Sequence, residues 1–419
     1  MTDNTTYHTP APKSRLYYGY IVVGASFIIM ILAHGLFNVF GIFFNPLIEE
    51  FGWTRAAISG AYSLSTVLQG VLGIAVGGLV DRFGPRIVVT VCGVFLGAGY
   101  MLMSQVNTVW QMYLFYGVII GIGMSGLWVP MLSPISRWFV TRRSMMTGIV
   151  MSGMTVGGIV APLVVSRLLI AYDWRQTFII VGGVVLVFTV LLAQLLKRDP
   201  GRHGPSLNSA GEDPQSKSPP AVIGYSFKEA AQTLQFWLFI AILICFGYGI
   251  AIGIHLYPHI TGLGFSGVSA ANVMAVNGGV GIIGNIFVGG FIGDRIGNRK
   301  VLILGFALIV AALVWLLYSN ELWMFYLFAI VLGISMGSIG TSESPLVARL
   351  FGLKNHGLIY AIIVLGFTGG AAVGPLLTGY IHDITGSYHN AFLVSIALAV
   401  VGLVLSALLK PTRKVGTEL

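Results

Sequence analysis

Twelve long apolar segments dominate this chain of 419 residues and constrain its fold more than any other feature. A hydrocarbon layer about 30 Å thick is crossed by a helix of about 20 apolar residues, a length that these segments match. The segments lie at 18–47, 54–79, 86–105, 110–137, 144–169, 176–196, 236–262, 270–292, 301–318, 322–347, 357–381 and 390–409. The sequence therefore predicts an all-α membrane protein with twelve transmembrane helices, numbered here as spans 1 to 12.

Composition excludes most other classes of protein. Hydrophobic residues make up 56% of the chain and charged residues only 9%, whereas the surface of a soluble domain needs roughly a quarter. The net charge of +9 does not predict a nucleic-acid partner, because the basic residues separate apolar segments instead of sharing one surface. Since no HExxH motif, Walker loop or Cys/His cluster is present, we expect no enzymatic activity, no cofactor and no metal.

The positions of Lys and Arg predict the orientation of the spans, because these residues accumulate on the cytoplasmic side. With the N-terminus inside, only Arg55, Arg167 and Arg175 of the 23 basic residues face outward. We therefore expect a multi-pass protein of the cell inner membrane with both termini cytoplasmic.

A polar stretch at 197–227, rich in Pro, Gly and Ser, separates two groups of six spans. This division predicts an N-terminal tail at 1–15, a six-helix bundle at 16–196, a cytoplasmic linker at 197–235, a second bundle at 236–409 and a C-terminal tail at 410–419. Within the linker, Phe227, Ala230, Ala231 and Leu234 share one helical face, which predicts a short amphipathic helix on the membrane surface.

An internal repeat relates the two bundles. The turn after span 2 reads Gly77-Gly78-Leu79-Val80-Asp81-Arg82-Phe83-Gly84-Pro85-Arg86, and the turn after span 8 reads Gly290-Phe291-Ile292-Gly293-Asp294-Arg295-Ile296-Gly297-Asn298-Arg299. The same offset of 213 residues pairs Gly153 with Gly366, Gly157 with Gly370 and Pro162 with Pro375. Two pseudo-symmetric halves of this kind are typical of a transporter whose site lies between them.

Both turns resemble the Gly-x-x-x-Asp-Arg/Lys-x-Gly-x-Arg/Lys pattern of the major facilitator superfamily. The resemblance implies two halves that rock about a central site, with the turns fastening one end. The candidate latch residues are Asp81, Arg82, Arg86, Asp294, Arg295, Arg299, Arg142 and Arg143. The alternative is that these charges only set topology, although acidic residues contribute little to orientation.

A narrower resemblance starts at Trp138-Phe139-Val140-Thr141-Arg142-Arg143 and ends at Thr147-Gly148. It is similar to the Tyr-Phe-x-x-Arg-Arg-x-x-Ala-x-Gly signature of the monocarboxylate porter family, which lies near the oxalate/formate antiporters. The turn Phe51-Gly52-Trp53-Thr54 also looks like that family. The resemblance implies proton-linked transport of a small organic acid such as lactate or pyruvate.

Polar side chains inside the spans are costly and are therefore candidates for function. The solute-binding candidates are His34, Asn38, His255, Asn277 and Asn285. A neutral imidazole can hydrogen-bond a carboxylate, and a protonated one attracts it, so His34 is also a candidate for proton coupling. The alternative for each histidine is a packed ring that makes an interhelical hydrogen bond.

Glu343 is the one carboxylate well inside an apolar span. One interpretation is that it carries the coupled proton, because burial disfavours a charged carboxyl. The other is a structural ion pair with Arg137, Arg142 or Arg143 near the cytoplasmic end of span 10.

The chain departs from the porter family in its intramembrane charges. Proton-linked members typically carry a Lys in span 1 and an Asp and an Arg in span 8, where this chain has Asn38, Gly281 and Asn285. We therefore expect a monomeric secondary-active transporter of a small organic acid with protons, embedded in the lipid bilayer, and keep two alternatives. One is an antiporter or exporter of a less charged organic solute, and the other is a solute sensor without transport.

Overall fold

The computed structural model describes residues 17–199 and 224–410, which form helices joined by short turns. The predicted N-terminal tail at 1–15, residues 411–419 of the predicted C-terminal tail at 410–419, and residues 200–223 of the predicted linker at 197–235 lie outside the described residues. Twelve helices are long and apolar enough to cross a membrane, which confirms the predicted fold class. In the N-terminal half these are α1 Tyr18–Phe43, α2 Ala57–Phe83, α3 Pro85–Met103, α4 Val109–Trp138, α5 Arg143–Ala171 and α6 Trp174–Ala193. In the C-terminal half they are α7 Leu234–Gly262, α8 Gly267–Ile296, α9 Asn298–Leu317, α10 Leu322–Phe351, α11 His356–His382 and α12 His389–Leu408.

The two repeated turns are built on glycines in a conformation that other residues rarely adopt. Gly84 has φ +80° between α2 and α3, and Gly297 has φ +90° between α8 and α9. Pro85 then starts α3 with a backbone angle that suits the first turn of a helix. The spacing of the motif therefore sets where one helix ends and the next begins.

The two halves repeat the same packing. In the N-terminal half α1 packs on α5 and α3 on α6; in the C-terminal half α7 packs on α11 and α9 on α12. A Cβ added to Gly153 would lie 2.6 Å from the Phe27 carbonyl oxygen, and one added to Gly366 would lie 2.7 Å from that of Ile240. The repeated glycines thus let backbones of paired helices touch, as small residues do in membrane interiors.

Contacts between the halves also occur in pairs. Helix α2 packs against α11, and α5 packs against α8. The end of the molecule that carries the turns α2/α3 and α8/α9 is called the hairpin end below.

Two helices of the N-terminal half are interrupted. The regular part of α1 ends at Asn38 and continues as a 3-10 turn, Phe40–Phe43, before the short helix Phe44–Phe51. Helix α4 stops being regular after Ser125 and resumes as Val129–Trp138, with Trp128 at the junction. Such breaks free backbone groups in the region where transporters of this architecture bind solutes.

After the linker, the short helix Phe227–Ala231 begins at Ser226, whose hydroxyl and Glu229 form a capping box. Leu234 does not belong to this helix, because Thr233 caps a new start there and α7 begins at Leu234. The Tyr225 amide donates to the Phe351 carbonyl at 2.8 Å, which holds this segment against the end of α10.

Candidate functional site

Four side chains from both halves meet near the middle of the molecule, and together they are called the central cluster. These are His34 of α1, Trp128 at the break in α4, Glu343 of α10 and Tyr360 of α11. The Trp128 indole Nε1 donates to the Tyr360 hydroxyl at 3.1 Å, and that hydroxyl donates to Glu343 Oε2 at 3.2 Å. The cluster therefore connects the N-terminal half to a buried carboxyl group of the C-terminal half.

His34 is buried without hydrogen bonds. The residue is 5% exposed, and neither ring nitrogen has a partner among the described residues. Its ring lies edge-on to Trp128, with 5.6 Å between the ring centroids. A buried imidazole normally has a partner for each nitrogen, so this ring has unused capacity for a solute or for water.

Glu343 is 2% exposed, and the Tyr360 hydroxyl is its hydrogen-bond partner in the described part of the chain. The same part holds no Lys or Arg within salt-bridge distance of Glu343. The alternative of an ion pair with Arg137, Arg142 or Arg143 is therefore wrong, and for Arg137 the reason is that its guanidinium is engaged by Asp81. Glu343 is a buried carboxyl group with no compensating cation.

The amide candidates on α8 are engaged inside the C-terminal half. Asn277 donates through its side-chain amide to the Ala329 carbonyl of α10 at 3.0 Å. Asn285 accepts from the Thr341 hydroxyl at 3.1 Å through its side-chain oxygen and at 3.2 Å through its carbonyl. That carbonyl belongs to a π-helical segment, Gly284–Ile292, whose irregular bonding leaves backbone groups available.

His255 is also satisfied within one half. Its Nε2 lies 3.1 Å from the Pro375 carbonyl and its Nδ1 lies 3.4 Å from the Tyr388 hydroxyl. Because a carbonyl can only accept, Nε2 carries the proton, and the hydroxyl donates to Nδ1. Asn38 ends the regular part of α1, but its side chain lies outside the described structure.

Between the central cluster and the hairpin end lies a second polar layer, formed by Ser133 and Ser136 of α4, Ser344 of α10 and His356 of α11. The Ser133 hydroxyl donates to His356 Nδ1 at 3.1 Å, while His356 Nε2 donates to the Ser344 carbonyl at 3.1 Å. The hydroxyls of Ser136 and Ser344 are 3.1 Å apart. This serine–histidine layer is buried and joins the two halves.

At the hairpin end, each repeated aspartate caps a helix of the opposite half. Asp81 accepts from the backbone amide of Leu358, in the first turn of α11, at 3.0 Å. Asp294 accepts from the backbone amides of Ser144 and Met145, in the first turn of α5, at 2.8 and 3.0 Å. Negative charge is stabilised at a helix N-terminus, where amides lack partners inside the helix.

Asp81 has a further partner, Arg137. The guanidinium lies 3.3 Å from the Asp81 carboxylate and donates to the Leu353 carbonyl of the opposite half at 2.7 Å. A second carboxylate, that of Asp199, lies 3.5 Å from the same guanidinium. Sequence reasoning did not identify Arg137 as a partner of Asp81, because the two residues are 56 positions apart in sequence.

In the described residues, neither aspartate forms a salt bridge with the candidate latch arginines of its own turn. Arg86 donates to Gln194 at 2.7 Å, and Arg299 donates to the Ala407 carbonyl at 2.6 Å. Arg82 and Arg295 lie over the rings of Phe83 and Phe291. Arg86 and Arg299 therefore contact a neighbouring helix of their own half, and Arg82 and Arg295 contact a ring of their own helix.

The two candidates at the start of α5 lie beside the second aspartate. Arg142 is exposed at the position that precedes the helix. The Arg143 Nε donates to the Phe139 carbonyl at 3.1 Å, and its charge interacts with that of Asp294. Neither guanidinium forms a salt bridge in the described residues.

All hydrogen bonds between the halves in the described chain fall in the central cluster, the serine–histidine layer or the hairpin end. At the opposite end, Glu50 pairs with Arg175 at 2.7 Å and accepts from the Trp174 indole at 2.6 Å, all within the N-terminal half. These hydrogen bonds hold the pKa of the Glu50 carboxyl below its usual value. In the described residues, hydrogen bonds therefore join the halves from the central cluster to the hairpin end.

Sequence reasoning also missed His356 and Tyr360. Tyr360 belongs to a residue type that is common on lipid-facing surfaces, and His356 lay just outside predicted span 11. A spacing of four residues, which places both on one face of α11, was the available signal.

Comparison with known proteins agrees with this geometry. The model of the Major Facilitator Superfamily matches residues 26–291 and 286–418. Monocarboxylate transporter 11 of Homo sapiens is 27% identical over 92% of this chain and 81% of that protein. Monocarboxylate transporter 4 of Gallus gallus is 25% identical over 90% of this chain and 80% of that protein. The uncharacterized MFS-type transporter YhjX of Escherichia coli is 25% identical over 71% of this chain and 73% of that protein.

Solved structures show the same fold. A structure of the E. coli fucose:proton symporter FucP has a TM-score of 0.69 at 16% identity, covering 95% of this chain and all of that one. A second, of FucP in the outward conformation, has a TM-score of 0.68 over 94% of this chain. The chain thus belongs to the Major Facilitator Superfamily, and it is a multi-pass membrane transporter related to monocarboxylate transporters and not an enzyme.

Proposed function

We propose that this protein is a secondary-active transporter that moves a small organic acid together with protons by alternating access. The observation that carries the proposal is Glu343, a buried carboxyl group without a cation, which Tyr360 links to Trp128 of the opposite half. The names of the relatives, monocarboxylate transporters, supply the substrate class.

Glu343 has the properties of a proton carrier. Burying a carboxylate without an opposite charge costs several kcal/mol, so a proton on Glu343 stabilises the arrangement described here. Loss of the proton leaves a negative charge on Glu343, next to the Tyr360 hydroxyl, and favours the entry of water into the central cluster. Proton binding at Glu343 thereby acts on the contact between the halves.

His34 is the solute-binding residue that the geometry favours. Asn277, Asn285 and His255 already have partners in their own half, whereas both nitrogens of His34 are unused. A carboxylate of the solute supplies an acceptor for either N–H, and protonation of the ring adds an opposite charge. His34 contacts the Trp128 ring directly and Glu343 is linked to the Trp128 indole through Tyr360, so solute and proton act on the same aromatic side chain.

The direction of opening completes the proposal. The distribution of basic residues places the hairpin end in the cytoplasm, so the closed hairpin end corresponds to an outward-facing state of an inner-membrane protein. The aspartate latches are then cytoplasmic and open when the transporter turns inward.

A second candidate function is exchange or export of a less charged organic solute. Apart from positions near their hairpin ends, α1, α7, α8 and α10 contain no Lys or Arg in their described sequence. Desolvating an anion without a fixed cation is costly, which favours a solute with less charge.

Transport into proteoliposomes tests the proposal. Wild-type protein is expected to accumulate labelled lactate or pyruvate when the lumen is made alkaline, and Glu343→Gln is expected to lose this accumulation but retain exchange across the membrane. Glu321→Gln, an exposed carboxylate just before α10, is the matched control and is expected to accumulate as the wild type does. Full accumulation by a folded Glu343→Gln protein would exclude the coupling role.

The pH dependence of binding separates the two candidate functions. If His34 anchors an anion, affinity rises as the pH falls through the imidazole range, from about pH 8 to about pH 5, beyond any change in the solute. The His34→Gln variant is expected to lose this dependence, and His389→Gln, exposed at the start of α12, is expected to keep it. A flat profile in the wild type would favour the less charged solute.

A further inference from the structure

A basic cavity at the hairpin end of the C-terminal half lies away from the central cluster. It has a volume of about 380 Å³ and lies between α9, α10 and the end of α12. Its cations are Arg299, Lys300, Arg349 and Lys410, and its apolar wall includes Ile303, Leu346, Leu350 and Leu409. One side of the cavity is thus charged and the other is apolar.

The cavity lies at the level where the helices leave the apolar layer. Helix α9 begins at Asn298, α10 ends at Phe351 and α12 ends at Leu408. Each of the four cations lies within two residues of one of these ends. The cations are therefore at the membrane boundary, while Ile303 and Leu346 extend the wall toward the membrane interior.

No carboxylate of the described residues neutralises the positive charge of the cavity. No carboxylate lines it, and none of its four cations forms a salt bridge in the described residues. Arg299 donates to the Ala407 carbonyl, but its Nε is buried with no partner in the described structure. Asp294, in the adjoining cavity that Arg349 also lines, is engaged by the first turn of α5.

The internal repeat supplies a comparison. The offset of 213 residues places Arg86, Ile87, Ser136 and Lys197 of the N-terminal half at the positions of the four cations. There, Arg86 is bound by Gln194 and Lys197 lies over the Tyr18 ring, so both charges already have partners. The accumulation of unpaired positive charge is specific to the C-terminal half.

We propose that this cavity binds an anionic glycerophospholipid. The phosphate of the headgroup is held by Arg299, Lys300, Arg349 and Lys410, and the first part of an acyl chain lies along the apolar wall. Basic pockets between helices on the cytoplasmic side recognise such headgroups, and arginine binds phosphate through two parallel hydrogen bonds. The lipid fastens α9, α10 and α12 together inside one half.

Lipid binding to purified, delipidated protein in detergent tests the proposal. The probes are phosphatidylglycerol, phosphatidylcholine and glycerol 1-phosphate, with binding followed by native mass spectrometry and stability by thermal unfolding. Phosphatidylglycerol is expected to be retained and to raise the unfolding temperature, because it carries both the net charge and the chain. Equal retention of phosphatidylcholine would mean an apolar groove only, and equal stabilisation by glycerol 1-phosphate would mean a site for soluble anions; either result overturns the proposal.

Variants locate the binding. The double variant Lys300→Gln/Arg349→Gln is expected to lose about thirtyfold in affinity for phosphatidylglycerol, since each of the two removed cations contributes a similar share of the binding free energy. The control is Arg86→Gln/Lys197→Gln, which removes two cations at the positions of the other half that correspond to Arg299 and Lys410, and it is expected to bind as the wild type does. If the double variant does not fold, the single variant Lys300→Gln, at an exposed position, is measured instead and is expected to lose less affinity. Wild-type retention by the folded variants, or equal loss in the control, would overturn the proposal.

Discussion

The two repeated aspartates at the hairpin end come from the same sequence motif but differ in how their charge is balanced. Asp81 and Asp294 occupy equivalent positions of the repeat and cap α11 and α5, which are themselves equivalent helices. Asp81 also pairs with the buried guanidinium of Arg137, whereas Asp294 has two close backbone amides and no salt bridge.

This difference shows that the two halves share the capping geometry of the aspartate but not the positive charge that compensates it. The position equivalent to Arg137 is Leu350, so the C-terminal half has no counterpart of its guanidinium. The side chain of Arg137 is 4% exposed. If Asp81 were neutralised, this buried guanidinium would lose a compensating charge, which costs more free energy than the same change at the surface.

Neutralising Asp81 is expected to have the largest effect. Asp81→Asn removes a charge-assisted contact worth about 2 kcal/mol, or roughly thirtyfold in the population open at the hairpin end. Ser136 is buried at the interface, so the rate of alkylation of Ser136→Cys, in a background with Cys92 and Cys245 changed to Ser, reports this opening. Transport is expected to fall more than solute affinity does. Unchanged alkylation and transport would remove Asp81 from the latch.

Asp294→Asn is expected to open the same end less. The amide oxygen can still accept from one of the two backbone N–H groups, so the loss is that of the interaction between a charge and a helix N-terminus, about 1 kcal/mol, or roughly fivefold in alkylation of the same cysteine. An effect equal to or larger than that of Asp81→Asn would show that Arg137 does not strengthen the first latch.

Arg82→Gln and Arg295→Gln are each expected to change the rate of Ser136→Cys alkylation by no more than about twofold. This corresponds to a free-energy change below about 0.5 kcal/mol, which is usual for substitutions at the surface. Both guanidiniums lie over neighbouring aromatic rings and do not contact the aspartates. An increase in alkylation as large as that caused by Asp294→Asn would show that Arg82 or Arg295 does help to close the hairpin end.

Glu50→Gln is expected to have the smallest effect, because Glu50 and Arg175 join parts of a single half. The pKa of Glu50 is lowered in the folded protein, so its contribution is present at neutral pH and is lost as the pH falls through that lowered pKa. Thermal unfolding between about pH 7 and pH 3 should show less acid destabilisation in the variant, with unchanged Ser136→Cys alkylation. A gain in alkylation would show that this end also joins the halves.

The architecture was accessible from the sequence because it depends on features with fixed spacing. Apolar runs of sufficient length give the helices, and the offset between Asp81 and Asp294 gives the two halves. The glycines at 153 and 366 fall where helices of each half touch, since close backbone approach needs residues without a side chain.

The partners within the site were not accessible in the same way. Arg137 reaches Leu353 across 216 positions, and Trp128 reaches Tyr360 across 232. Which polar groups meet over such separations depends on the rotation of each helix about its axis, and the weak amphipathicity of membrane helices does not specify that rotation. The sequence therefore singled out Glu343 and His34 but not the Tyr360 side chain that links Glu343 to Trp128.

The interruption of α4 at Trp128 has a mechanical consequence. Beyond it, the ten residues Val129–Trp138 form a short helical segment that carries Ser133, Ser136 and Arg137. The break bends more easily than a continuous helix, because regular i to i−4 hydrogen bonding is lost there. In the proposed transport cycle, we therefore expect a movement of the Trp128 indole to turn this segment as one unit, so that the contacts of the serine–histidine layer and of Asp81 break together.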